Sequence, residues 1–326
     1  MRRRDFMSML GGATAWPLAA RAQQATPTIG YLGLETAELF ASRLRAFREG
    51  LSSTGYEEGR NVTIQYRWAE GHNERVSALV ADLVDRHVAV IAAPGGVPGA
   101  VAAKAATTAI PIVFEMGADP VALGLVESLN HPGGNVTGAT SLSGEVLPKR
   151  LDLLHEVVPS ATIFGLLVNP TNPANAQPSI KLAQAAADAL RLHLEILYAG
   201  KEDDIDAVFA TLVKLGAGGM VISNDTFYVT HQEQLAAASI HYAMPAISSS
   251  REFTAAGGLM SYSGSFAETH RLAGVYTGRI LKGEKPADLP VVRATQVEFF
   301  INLKAAKALG LNIPLALLGR ADEVIE

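Results

Sequence analysis

Six short polar loops, each following an apolar run, carry the residues of this chain best suited to holding a small molecule. They are Leu34-Glu35-Thr36, Pro94-Gly95-Gly96-Val97, Glu115-Met116-Gly117-Ala118-Asp119-Pro120, Asn169-Pro170-Thr171-Asn172, Ser223-Asn224-Asp225-Thr226 and Ser248-Ser249-Ser250-Arg251-Glu252. The carboxylates of Glu35, Asp119 and Asp225 can hold an ammonium group by charge-assisted hydrogen bonds. Gly95-Gly96 precedes Pro98, so a helix start is expected there, with free backbone N–H groups for a carboxylate. Asn169 and the serines around Ser249 both donate and accept. Met116, Phe227 and Tyr262 suit the apolar part of a ligand. The candidate ligand-binding set is Glu35, Thr36, Gly95, Gly96, Val97, Met116, Asp119, Asn169, Asp225, Ser249, Arg251 and Tyr262. Each also has a plain structural reading. Asp119 and Asn169 precede prolines, as turn and cap residues do. Asp225-Thr226 can start the next helix, and Arg251-Glu252 can be an ion pair or first-turn surface charges.

The motifs of bond-breaking chemistry are missing. There is no G-x-S-x-G elbow, which disfavours an α/β-hydrolase. The turn after the first strand candidate reads Gly33-Leu34-Glu35-Thr36 and not G-x-G-x-x-G, which disfavours a nicotinamide site. No G-x-x-x-x-G-K-[ST] occurs, so an ATP-hydrolysing subunit is excluded. The eight histidines form no close ligand pair, and His231 and His241 read as surface or core residues. No cofactor and no metal are expected.

The elements that must position these loops alternate as strand and helix, the pattern of a parallel sheet covered by helices. Strand candidates begin near Ile29, Val62, Val88 and Pro111. Between them run helical stripes such as Phe40, Leu44, Phe47 and Leu51, or Val76, Leu79, Val80 and Leu83. The series then restarts near Thr162, His193, Gly219 and Pro245 at closely similar offsets. His131 to Gly138, with one proline and three glycines, reads as a turn and then an extended crossing between the halves. Later come a strand through Leu259 to Tyr262, a helix with Leu272, Val275, Tyr276 and Ile280 on one face, a strand near Val297 to Leu303, and a short last helix. The fold class is α/β: two similar doubly wound parallel-sheet lobes joined by a multi-strand hinge. Lobe 1 is residues 28–139 plus 263–294, and lobe 2 is residues 140–262 plus 295–326. Several crossings make a hinge, and a hinge makes a cleft that opens and shuts. In such sheets ligands bind outside the carboxyl ends of the strands, where the six loops lie.

Composition agrees with a folded two-domain chain. It has 326 residues, 48% of them apolar and 18% charged. The formal net charge of −5 argues against a nucleic-acid partner. There is no cysteine, so disulfides, cysteine zinc sites and a lipidated N-terminal cysteine are excluded. A basic start (Arg2-Arg3-Arg4), a mildly apolar stretch from Phe6 to Leu18, and Ala20-Arg21-Ala22 read as an export signal over residues 1–22. Arg3-Arg4-Asp5-Phe6-Met7 resembles a twin-arginine signal. An attached amphipathic helix is the alternative reading. A monomer without a membrane anchor, free in the periplasm, is the expectation.

Several segments together resemble the substrate-binding proteins of ABC transporters of the tryptophan/tyrosine-uptake type. They are Gly59-Arg60-Asn61-Val62 with Tyr66 to Gly71, Ala105 to Thr108 before Ile110 to Phe114, Asp119-Pro120-Val121 through Gly124-Leu125-Val126, and Asn130 to Gly138. Leu167 to Pro170, Arg251-Glu252-Phe253, Ala256 to Tyr262 and Arg279 to Pro286 complete the match. The resemblance implies a type I periplasmic-binding-protein fold closing on one small ligand, an amino acid or related compound with an aromatic one in view. It also implies an ABC permease and an ATPase as partners. One departure stands out. The first loop of such proteins carries a serine/glycine-rich run, and here it is Leu34-Glu35-Thr36-Ala37-Glu38, which favours a cationic or amine-bearing ligand. A periplasmic sensing module for a membrane receptor shares fold, export and cleft. A secreted α/β enzyme is the third reading, with no nucleophile or cofactor motif to support it.

Overall fold

The computed structural model describes residues 26–326, so the export-signal reading of residues 1–22 lies outside the described residues. The first sheet is built from β1 (Thr28–Gly33), β2 (Thr63–Trp68), β3 (Val90–Ala93), β4 (Ile112–Met116) and β5 (Val136–Thr140). Between these strands run α1 (Ala41–Ser53), α2 (Val76–Asp85) and α3 (Val97–Ala106). After β5 the chain enters α4 (Leu147–Val157) and the second series. Its elements are β6 (Ile163–Val168), α5 (Pro173–Leu190), β7 (His193–Tyr198), α6 (Asp204–Leu215), β8 (Gly219–Ile222), α7 (Thr226–Thr230) and α8 (Gln232–His241). They continue through β9 (Ala246–Ser248), α9 (Arg251–Ala255) and β10 (Met260–Gly264). The chain closes with α10 (Phe266–Leu281), β11 (Val292–Arg293), β12 (Val297–Asn302), α11 (Leu303–Ala308), α12 (Leu315–Leu318) and β13 (Glu323–Ile325).

The two sheets repeat one topology. The first is ordered β11-β5-β4-β3-β1-β2 and the second β13-β12-β10-β9-β8-β6-β7. Each series therefore places its second strand outside its first and its third on the other side. Every pairing is parallel except β10 with β12. The strand order reverses between β1 and β3, and again between β6 and β8, and ligands bind at such switch points.

Both faces of each sheet are covered, as continuous apolar strands require. On one face of the first sheet Phe47 and Leu51 of α1 pack with Ile29, Val90, Ala273 and Tyr276. On the other Val80 and Leu83 of α2 and Ala100 of α3 pack with Leu32, Ile91 and Phe114. The second sheet is covered by α4 and α5 on one side and by α6, α8 and α9 on the other. Helix α10 follows strands of the second sheet yet returns to the first, against α1. Glycines allow this approach: a Cβ on Gly274 would stand 2.0 Å from the Phe47 carbonyl oxygen, and one on Gly50 would stand 1.9 Å from that of Arg271.

Three segments cross between the sheets side by side. Ala294 N–H donates to Thr140 O at 2.8 Å, and Ser265 N–H donates to Gln296 O at 3.0 Å. Arg150, fully buried on α4, donates to the carbonyls of Ser143 and Tyr262 and so fastens two of the segments.

The eight main strands fall where apolar runs placed them. One reading is corrected. Val136–Thr140 is not merely a crossing but the fifth parallel strand of the first sheet, all its residues buried. The turn before it uses Gly133 and Gly134 at φ 67° and 68°. Strands β11 and β13, of two and three residues, were not visible as periodic runs.

Candidate functional site

Loops from both switch points face each other across the gap between the sheets. They enclose a narrow space of about 40 Å³, well below the roughly 300–1,000 Å³ of pockets that hold a small molecule, so a ligand can enter only if the lobes part. The first sheet supplies Glu35 after β1, Gly95, Gly96 and Val97 after β3, and Glu115 to Ala118 at the end of β4. Phe40 and Arg43 around the start of α1, and Phe266 of α10, complete that wall. The second sheet supplies Asn172 and Asn175, Asn224 to Thr226, and Val229.

The α3 N-terminus is held open toward this space. Gly96 is its cap residue at φ 106°, a conformation that L side chains rarely adopt, and Pro98 lies in the first turn. His270 of α10 braces the loop. Its Nε2 lies 2.8 Å from Pro94 O and its Nδ1 2.8 Å from Phe266 O. Burial and the nearby Arg43 charge push its pKa down to about 3, against those two carbonyls. Each ring nitrogen thus faces a backbone carbonyl, and a neutral ring can donate to only one of the two.

On the opposite wall Asp225 accepts three hydrogen bonds. Its Oδ1 accepts from Asn169 Nδ2 at 2.8 Å and Phe227 N at 3.0 Å, and its Oδ2 accepts from Asn172 Nδ2 at 2.8 Å. Burial raises its pKa, while the Asn169 and Asn172 amides oppose the rise. Asp225 therefore caps α7 and fixes two asparagines. Only Asn172 of those two lines the space.

Four charged groups gather at the first-lobe end. Arg43 Nη2 donates to Glu252 Oε2 at 3.2 Å across the gap, and its guanidinium lies over the rings of Phe266 (4.3 Å) and Phe40 (4.8 Å). Burial disfavours the Glu252 charge, but Arg43 and the Ser250 hydroxyl (2.5 Å) hold its carboxyl down to about 2. Burial pushes Glu35 up to about 8 against the pull of Arg43, and the charges of Glu115 and Glu252 add to the rise. Burial likewise pushes Glu115 up to about 7, against hydrogen bonds from Ser141 and Thr269 and the Arg43 charge. Glu35 Oε2 is buried with no hydrogen-bond partner.

Of the residues proposed from sequence, Glu35, Gly95, Gly96, Val97, Met116 and Asp225 line this space together. The others stand elsewhere. Thr36 lies in the turn entering α1, its Oγ1 accepting from Leu39 N at 3.4 Å. Asp119 caps its own turn through Val121 N (2.8 Å) and lines a separate apolar hollow with Leu123 and Pro178. Asn169 donates to Asp225 and lines a separate hollow with Glu70, Thr171 and His231, and Ser249 supports Asn224 through a 3.2 Å hydrogen bond. Arg251 forms an exposed ion pair with Glu323 at 2.6 Å, which is a surface role. Tyr262 packs edge-on against Phe299 at 5.9 Å in the second-sheet core. Sequence reasoning missed Phe40, Arg43, Asn175 and Phe266. An arginine three residues after Phe40, beside an otherwise apolar stripe, was the available signal.

Two switch points facing one small space form a candidate binding site, and comparison with known proteins agrees. The family model described as ABC transporter substrate binding protein matches residues 39–325. The chain belongs to that family. It is a substrate-binding protein of an ABC transporter, with a small molecule and a permease as the partners the family implies. The family is one of extracytoplasmic binding proteins and not of enzymes. A Clostridioides difficile (strain R20291) protein named tyrosine-binding protein is 26% identical over 271 residues, 82% of this chain and 76% of that one. A crystal structure of a conserved domain protein from Vibrio cholerae superposes with a TM-score of 0.84 at 26% identity, covering 92% of this chain and 99% of the other. A Streptococcus pneumoniae ABC domain in complex with L-Trp gives 0.83 at 23% identity, covering 92% and 100%. The type I periplasmic-binding-protein fold expected from sequence is thus the fold observed.

Proposed function

We propose that this substrate-binding protein captures an amino acid or close relative between its lobes, closes by rocking about the three crossing segments, and delivers the cargo to its permease and ATPase. The carrying observation is the space shared by Gly96–Pro98 of one sheet and Asn172, Asn224 and Thr226 of the other. The α3 N-terminus suits a carboxylate. Phe40, Met116, Val97, Val229 and Phe266 supply apolar surface. The relatives' names point to amino acids as the class of cargo. Residues 1–22 serve as the export signal, which places the mature chain in the periplasm as a monomer. Contacts across the gap support a closed form, including Thr226 Oγ1 to Gly95 O at 3.4 Å and Arg43 to Glu252. Native mass spectrometry of protein purified from its own periplasm tests this. A bound small molecule, released unchanged and rebound in a thermal-shift assay against amino acids, is the expected result. A ligand recovered chemically altered, or no stabilisation by any amino acid or amine, overturns it.

A further inference from the structure

We propose that the Glu35–Glu115 end of the cleft selects a cargo of net positive charge, one whose ammonium or guanidinium group is not cancelled by its own carboxylate. This rests on the cleft being the ligand site and names the class of molecule it takes.

The count of charges carries the argument. Glu35, Glu115 and Asp225 line the space, with Arg43 as the one cation among the lining residues. Arg43 is paired to Glu252, which anchors it against the second lobe. Asp225 already has three donors on its two oxygens, one fewer than a carboxylate can accept. Glu35 and Glu115 remain, 3% exposed each. Thr269 donates to Glu115 Oε1 at 3.3 Å, but Glu35 Oε2 has no donor. Buried polar oxygens in folded proteins are almost always hydrogen-bonded, and buried charges are paired. A neutral zwitterion, its carboxylate on the α3 N-terminus, brings a single ammonium and no net charge to these two buried carboxyls. A ligand with one further positive charge supplies both the missing donors and the missing charge.

The surroundings add no competing cation beyond Arg43. The groups acting on Glu35 from the packed elements are Arg43 of α1, Glu115 of β4 and Glu252 of α9, with the Tyr31 phenol of β1 also buried beside it. His270 of α10 is kept neutral by burial. Before a cation enters, Glu35 therefore carries a proton near neutrality, and the entering cation displaces it. The nearby apolar residues, Phe40, Met116 and Phe266, strengthen a charge–charge contact by excluding water.

Matched ligand pairs test this by calorimetry on the purified protein. Arginine against citrulline exchanges a guanidinium for a neutral urea of the same shape. Tyramine against tyrosine removes the carboxylate and leaves net charge +1. The expected result is that at least one cationic member binds tenfold or more tighter than its partner, with a heat that varies with buffer because a proton is released. Glu35→Gln brings the members of that pair within about threefold, and Glu35→Asp keeps the gap. Tyrosine or citrulline binding as tightly as the cation overturns the proposal and leaves amino-acid capture standing. No heat from any of the four overturns it too, and native mass spectrometry then decides separately whether the cleft is a ligand site.

Discussion

Arg43 of α1 and Glu252 of α9 belong to different lobes, yet their side chains meet at 3.2 Å with only 6% and 26% of their surfaces exposed. Opening the cleft must separate them. The pair therefore favours closure, and ligand affinity scales with the closed population. Glu252→Gln removes the anion and leaves a buried guanidinium, a change that costs about 3–5 kcal/mol when a buried pair is broken. Much of that falls on the closed form alone. The expected outcome is an affinity loss of tenfold or more, with the order of preferred ligands unchanged, and a larger radius of gyration of the ligand-free protein by small-angle scattering. Unchanged affinity would show that the pair plays no part in closure.

A pH dependence follows from the cluster beside that pair. Glu35 holds its proton up to about pH 8 when folded, against an ordinary 4.5. A raised carboxyl pKa means that folding takes up protons, so stability falls as pH rises between the two values. His270, lowered to about 3, has the opposite slope, but only below its ordinary 6.5. Glu252, lowered to about 2, also acts only at low pH. The window from 6.5 to 8 is left to Glu35, with Glu115 contributing at its lower edge. Over it the ligand-free closed form should lose roughly 2 kcal/mol, read as a falling Tm. Glu35→Gln should flatten that fall. An equal slope in the variant would assign the titration to another group.

The contact between α1 and α10 gives a test whose sign decides. In an exposed helix Gly→Ala stabilises by about 1 kcal/mol. At Gly274 the new Cβ would meet the Phe47 carbonyl oxygen at 2.0 Å, a backbone atom that cannot swing away. The helices must part, loosening Phe47, Leu51 and Tyr276 from the first-sheet core. Gly274→Ala is therefore expected to destabilise by about 1–3 kcal/mol, measured by urea unfolding. A gain in stability would refute the close packing.

The sheets were legible because buried parallel strands are continuous apolar runs, and Ile163–Val168 or Gly219–Ile222 could be nothing else in an alternating chain. The loop rule then picked out Glu35, Gly96, Met116 and Asp225, which line the space between the sheets. It could not tell which loop residues turn inward. Arg251 and Glu252 are neighbours, yet Arg251 pairs with Glu323 at the surface while Glu252 reaches Arg43 in the cleft. The direction is set by the five-residue helix α9, which periodicity does not resolve. Arg43 was hidden for a related reason. It belongs to a helix whose apolar stripe announced a core face, and its charge becomes buried only when the second lobe supplies Glu252. Partners 209 residues apart leave no local trace.

Asp225 separates a scaffold role from direct contact with ligand. Its Oδ1 serves Asn169 and the Phe227 N–H, and its Oδ2 serves Asn172. Asp225→Asn can keep one oxygen with two of these donors, but its new amide then faces the amide of Asn172 or Asn169, donor against donor. A buried donor left without an acceptor costs about 1–3 kcal/mol, and Asn172 moves out of the wall it forms. The variant should unfold at lower denaturant and bind every ligand more weakly by a similar factor, leaving the ratio between cationic and neutral ligands as it was. Glu35→Gln should do the reverse, changing the ratio while sparing the fold. If calorimetry instead finds that Asp225→Asn abolishes the preference for cations without loss of stability, the anchoring carboxylate is Asp225, and its hydrogen bonds to the two asparagines must rearrange when the ligand enters.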